Sequence, residues 1–446
     1  VRRLAAASLL LLAACAACAG DPSHSLDAGP APDAGAAPAP DAAGPDAPLP
    51  DPCADVVAAC PTDEALAAVV EGAGLVAIER CAFPLVDRDE WAARAAALDA
   101  LDADLDSTDV AGVLADLNRS APRLPAVDVP GDPPGVTRAF GWQAGDQDVA
   151  YWIPQGITGS GDAGDGAGVS AGRVAGRDVV IVSWYYDRAE DAGSTAEKGV
   201  RLAIADVTDP DDVRYRLVLL VDPELVDGQP TFTSVPIHAG GIAWVGRYLY
   251  VADTFTGLRV FDLGRILRVA TGVDAIGYDA ATGAYHAHNY AYAVPQVDTL
   301  ADDGACAPRF SFVALDRATS PPSLVSGEYS ATTVTGRLFR WPLDGATGRP
   351  RLVAGGRLVP GGAWLSGHSH VQGALALGDT FWLSSSKPAA GAGDLYRARA
   401  GAASATLPWI DAPEDLYHDP VDDVVWSLSE GQGARYVFAA ARAALQ

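Results

Sequence analysis

One pattern returns along this chain and restricts its fold more than any other feature. In the clearest copy, His238-Ala-Gly-Gly-Ile-Ala-Trp244 leads into Arg247-Tyr-Leu-Tyr-Val-Ala-Asp253 and then Gly257-Leu-Arg-Val-Phe-Asp-Leu263. Each run is short, rich in β-branched and aromatic residues, and bounded by turn residues, which is how strands read. An earlier copy comprises Ile153–Thr158, Val179–Trp184, Val200–Asp206 and Arg216–Val221. Later ones comprise Phe310–Asp316, Ser323–Tyr329 and Arg337–Asp344; then Val371–Leu375, Thr380–Ser384 and Asp394–Tyr396; then Glu414–His418, Val424–Leu428 and Arg435–Phe438. Repeated small sheets of this kind pack around an axis, so the expected fold is an all-β β-propeller over residues 140–446. Five blades are expected, and six if Tyr285–Val297 forms its own. The last unit lacks a fourth strand; one near Phe140–Tyr151 is expected to complete it and close the ring, removing the exposed sheet edges. A β-sandwich also has many short strands, but it does not repeat inner strand, Trp/Tyr-rich middle strand and hydrophobic-Asp ending in that order.

Ahead of the repeats the chain changes character three times. Residues 1–14 pair Arg2 and Arg3 with the apolar run Leu4–Ala14. That run is shorter than the roughly 20 residues a membrane span needs and reads as an export signal. It ends in Leu12-Ala13-Ala14-Cys15, which resembles the bacterial lipobox and implies lipidation of Cys15; otherwise cleavage would release a secreted product. The absence of Met, with Val1 first, points to a non-ATG start or a translated fragment. Residues 15–52 are dominated by Ala, Pro, Asp and Gly and are expected to form a disordered tether. Residues 53–125 read as a small helical segment. Trp91, Ala95, Leu98, Leu101 and Leu105 share one helical face; Val110, Val113, Leu114 and Leu117 share a second, with N-cap chemistry in Asp106–Asp109. Pro122 and Pro125 end it.

Of six cysteines, Cys53, Cys60, Cys81 and Cys306 fall in folded regions. Export permits two disulfides among them in three connectivities, and the spacings match no compact zinc pattern. Cys53–Cys60 with Cys81–Cys306 is the favoured pairing. The net charge of −26 excludes nucleic acid as a partner and leaves the lipid anchor as the only expected membrane contact. A monomer is expected.

Tyr151-Trp-Ile-Pro-Gln-Gly-Ile157, Val182-Ser-Trp-Tyr185, His238–Trp244, Tyr248-Leu-Tyr-Val-Ala-Asp-Thr254, Pro413-Glu-Asp-Leu416 and Trp426-Ser-Leu-Ser-Glu430 together resemble an uncharacterised secreted β-propeller family of high-GC bacteria, actinobacterial and related. The resemblance covers most of residues 141–438. It implies the fold and export and supplies no catalytic residues.

Propellers take ligands at the channel mouth, near the starts of the inner strands. Gln155, His238, Gln372, Glu414 and Asp415 occupy such positions. Carboxylates, amides and an imidazole converging there could hold calcium or the hydroxyls of a sugar. His286/His288 and His368/His370 have the i, i+2 spacing that on a strand would aim both rings to one face, as a transition metal requires. The run Asp162–Gly168 faintly resembles a calcium loop but lacks its spaced ligands. No phosphate-binding loop motif occurs. Glu414 and Asp415 are adjacent and point oppositely on a strand, so a hydrolytic carboxylate pair would need another member, Asp253 or Glu328. The expected function is non-catalytic: binding a protein or carbohydrate at the channel face. The alternative is a divalent-cation-dependent hydrolase of a glycan or lactone.

Overall fold

The run from Ile242 to Asp302 folds into one four-stranded antiparallel blade. Tight turns at Gly246 and Thr254 join Ile242–Val245, Tyr248–Asp253 and Gly257–Asp262, and Tyr292–Asp302 lies on the outside. The computed structural model describes residues 49–88, 90–164, 169–386 and 391–446. The expected export signal, Cys15 and the tether up to residue 48 lie outside the described residues.

Four more blades repeat this plan. Blade 1 comprises Trp152–Gly159, Val179–Tyr186, Val200–Asp206 and Val213–Val226. Counting the unit above as blade 2, blade 3 comprises Phe312–Asp316, Ser323–Gly327, Arg337–Pro342 and Gly362–Leu365. Blade 4 comprises Val371–Leu377, Thr380–Ser385, Ala392–Arg399 and Ala402–Asp411. Blade 5 comprises Pro413–Asp419, Val424–Ser429 and Tyr436–Ala441, and its fourth strand is Val136–Gly141 from the other end of the domain. The closing strand is thus present and begins four residues before the expected boundary. Inner strands touch in the cyclic order 1, 2, 3, 4, 5 and back to 1, so the ring is closed. Residues 284–287 pair in a separate hairpin with 276–279, and Tyr292–Asp302 belongs to blade 2. Five blades account for the repeats.

Glycines make so tight a ring possible. A Cβ on Gly241 would sit 2.4 Å from the backbone nitrogen of Val313 in blade 3, and one on Gly373 would sit 2.5 Å from Cα of Asp415 in blade 5. The Gly-Ile and Gly-Ala steps of the repeats are therefore where neighbouring inner strands approach backbone to backbone. Between blades the filling is aromatic. Trp142 meets the rings of Trp184 and Tyr215 edge-on at 5.0 Å, and Arg201 lies over Trp152 and Trp184 at 4.5 and 4.8 Å while its charge is met by Asp146 at 3.1 Å.

The segment expected to be a helical unit is instead a belt around the ring. Trp91–Asp104 is helical with Leu98 and Leu101 fully buried, and Val110–Leu114 is a short helix capped by the Asp109 side chain on the Gly112 N–H (3.0 Å). Outside these helices and a short one at Asp63–Ala67, brief extended runs pair with the ring. Val76–Ala77 extends blade 3, Leu85–Asp87 blade 2, Arg119–Ala121 blade 1 and Arg123–Leu124 blade 5. The two expected helices are thus present, and the stretches outside them pair with outer edges that offer unpaired backbone groups. The tether boundary also moves: Leu49 bridges to Val353, and Asp51 accepts from Arg357 at 2.7 Å.

The disulfides are Cys53–Cys81 and Cys60–Cys306, which corrects the expected pairing. Cys53 and Cys81 are buried together with Val353 and Val359 beside blade 3. Residues 56–62, without helix or strand, carry Cys60 to the loop holding Cys306. Position along the belt, not nearness in sequence, selects the partners. The two bridges mark an oxidising, exported setting. Among the described residues no helix is long and apolar enough to cross a membrane.

Candidate functional site

Within an antiparallel blade the start of the inner strand lies beside the end of the second strand. Both sets of residues therefore face the same mouth of the channel. A cavity of about 460 Å³ opens there, and every blade contributes to its wall. Gln155, Gln372 and Glu414 come from inner strands and His238 from just before one. Tyr185, Thr254, Tyr329 and Glu430 come from the ends of second strands, and Arg309 and Ser311 precede the inner strand of blade 3.

Two carboxylate–amide pairs organise the polar part. Gln155 Nε2 donates to Glu430 Oε2 at 2.8 Å and to the Pro154 carbonyl at 3.0 Å; Gln372 Nε2 donates to Glu414 Oε1 at 3.1 Å. Glu414 is 1% exposed. Burial, and then the charge of Glu430, push its carboxyl well above the usual range, so its neutral acid is favoured. Burial also raises Glu430, against the Gln155 hydrogen bond and the positive charge of Arg435. The buried Arg435 fixes this end of the blade by donating to the Glu430 carbonyl at 3.1 Å. Tyr185 and Tyr329 flank the pairs, and after burial the charges of Glu414 and Glu430 help hold their hydroxyls protonated. The His238 ring stacks on Tyr185 at 4.2 Å, and crowding there draws its pKa down although the residue reaches solvent.

Four of the five residues nominated at strand starts line this cavity; Asp415 does not. The inner strand of blade 5 has an irregular register between Pro413 and Leu416. Asp415 Oδ2 accepts from the backbone N–H of Ile157 at 3.2 Å and of Ile242 at 3.3 Å, joining three inner strands inside the ring. The second cavity carboxylate is neither Asp253 nor Glu328. Asp253 is paired with Arg259 at 2.8 Å, and Glu328 is clamped by Arg337 at 2.5 Å and 2.6 Å. It is Glu430, at the second-strand end of blade 5.

The histidine pairs do not converge on a metal position. His286 contacts the Ala270 carbonyl (3.1 Å) and the Thr282 hydroxyl (3.0 Å), while His288 contacts Asp274 (2.8 Å). His368 stacks on Tyr396 at 3.7 Å and contacts Ser404, and His370 contacts Ser369. His288 and His370 have left-handed backbones (φ 47° and 57°), which breaks the strand alternation the spacing required. Asp162 is buried against Arg317 at 2.6 Å, and residues 165–168 of its run lie outside the described residues. Among the described residues, the one group of three carboxylates within ligand distance of each other is Asp178, Asp419 and Asp422, away from the mouth, with Arg138 and Arg173 against it.

No family model matches the chain, and no curated protein matches it. Similar solved structures include hydrazine synthase from Kuenenia stuttgartiensis (13% identity, TM-score 0.26, 62% of this chain and 76% of that one). They also include a gluconolactonase from Xanthomonas campestris (11%, TM-score 0.28, 72% and 88%) and the Cps50 β-propeller domain of Myceliophteria thermophila (11%, TM-score 0.30, 65% and 83%). Likeness this distant says nothing about the cavity.

Proposed function

We propose that the protein is an exported module, anchored by lipid on Cys15 and related to the secreted propellers of high-GC bacteria, that binds carbohydrate at its channel mouth. The observation that carries this reading is the 460 Å³ cavity with its two carboxylate–amide pairs between Tyr185 and Tyr329. Sugar hydroxyls donate and accept at once, and such pairs offer both functions in fixed positions. Tyrosine rings supply apolar faces for the C–H side of a sugar. A concave site of this size suits a small ligand or chain end better than the flat surface of a protein partner. Calorimetric titration of neutral oligosaccharides is the test. The expected result is binding that Gln372→Ala weakens roughly tenfold, the loss of one or two hydrogen bonds; wild-type protein that binds no member of a broad glycan panel overturns the reading.

The Glu414–Glu430 pair favours a second reading, glycoside hydrolysis. A carboxyl kept neutral beside another in one cavity is what general acid chemistry on a glycosidic oxygen uses. Under this reading Glu414 donates the proton. Glu414→Gln is then expected to abolish sugar release while binding persists. A divalent cation bound beside Glu414 would draw off its proton, so chelator treatment separates the two versions: activity persists if Glu414 acts as the acid and is lost if a cation is required.

A further inference from the structure

We infer that the ligand site continues outward from the channel mouth to Phe255, so that the ligand is a linear chain of at least two linked sugar units. The inference rests on the carbohydrate reading of the mouth. A second cavity, of about 220 Å³, adjoins the first and shares Tyr185, His238 and Thr254 with it. The stacked Tyr185–His238 pair is thus a sill between two compartments. The outer compartment runs between blades 1 and 2 past Pro236 and Ile237 to Phe255.

Phe255 is the aromatic face of the outer compartment. It is 76% exposed, at the tip of the turn between the second and third strands of blade 2. Its ring lies at the edge of the outer cavity with most of its surface open to solvent. The turn is fixed by the Phe255 backbone N–H, which donates to Asp253 Oδ1 at 3.2 Å, and the ring is held by the Arg309 guanidinium 4.9 Å from its centroid. Arg309 also lines the inner cavity, so it joins the two compartments. The outer carboxylates are already engaged, Asp253 by Arg259 at 2.8 Å and Glu197 by the Gly199 N–H at 3.0 Å. The compartments therefore differ in chemistry. The inner one recognises hydroxyls through amides and carboxyls; the outer one offers an aromatic face for stacking. A single sugar ring cannot occupy both, whereas a chain crossing the sill can.

The test is titration of full-length protein with cello-, xylo- and chito-oligosaccharides of one to six units. For the series that binds, affinity is expected to rise at least tenfold from one unit to three and then level off. In Phe255→Ala the ratio of trimer to monomer affinity should fall close to one. Affinity independent of chain length, or an unchanged ratio in Phe255→Ala, overturns the inference and leaves the carbohydrate reading standing. Failure of every series to bind overturns both.

Discussion

At Glu414–Asp415, two consecutive carboxyl groups enter different surroundings. Glu414 faces the cavity, and Asp415 receives two backbone N–H groups from blades 1 and 2. Burial favours the neutral form of Asp415 as well, so its Oδ2 serves as a plain acceptor. An amide supplies the same oxygen. Asp415→Asn should therefore change stability by less than about 1 kcal/mol, whereas Asp415→Ala, which strands both donors, should cost about 2–4 kcal/mol in urea unfolding. Other buried acids set the pH response. Burial raises Asp162 to about 7 despite Arg317, and burial with the charge of Asp87 raises Asp298 to about 6. In the unfolded chain both titrate near pH 4. Their contribution is complete below that pH and is lost as pH climbs through 6 and 7, so melting temperature should fall between pH 4 and 7. Asp162→Asn should flatten that fall by up to about 1.4 kcal/mol per pH unit; an unaltered slope would remove Asp162 as its cause. At this scale the sequence was half readable. Strand starts such as Gln155 and Gln372 stood out, but Glu430, Tyr185 and Tyr329 sit at second-strand ends. Their place at the mouth follows only once antiparallel pairing is drawn for each blade.

The blades were legible because each carries its own turns and alternation, so local chemistry and global fold agree. The belt was not. Val76–Ala77 and Arg119–Ala121 have no strand signal of their own and become strands because a finished edge accepts them. The Gly-Ile and Gly-Ala steps carry a consequence that can be measured. Gly241→Ala drives a methyl into the backbone of Phe312 and Val313, which cannot swing aside, and should cost at least about 2 kcal/mol or prevent folding. Gly378→Ala, left-handed (φ 63°) but with nothing within 4 Å, should cost about 1 kcal/mol. Comparable losses by thermal melting would contradict the close-approach account.

At the largest scale, residues 49–446 form a ring with an outer strap, and the Cys60–Cys306 bridge fastens the strap across 246 residues of sequence. Restricting so long a loop in the unfolded chain is worth up to about 5 kcal/mol. The double variant Cys60→Ser, Cys306→Ser should lose about that much stability while ligand affinity, set at the mouth, stays constant; a parallel loss of affinity would mean that the strap shapes the cavity. Five copies of the repeat made the ring visible in the sequence, but nothing in it sorted the cysteines, because their pairing is decided by where the strap lands.

Blade 5 is built from the first and last strands of the ring: the Thr137 hydroxyl donates to the carbonyl of Ala439, 302 residues later, at 3.2 Å. That same blade presents Glu414 and Glu430. Taking away Tyr436–Ala441 would therefore unfasten the first strand of the ring and leave Val424–Ser429, the strand that leads to Glu430, with no outer neighbour to hold it in place.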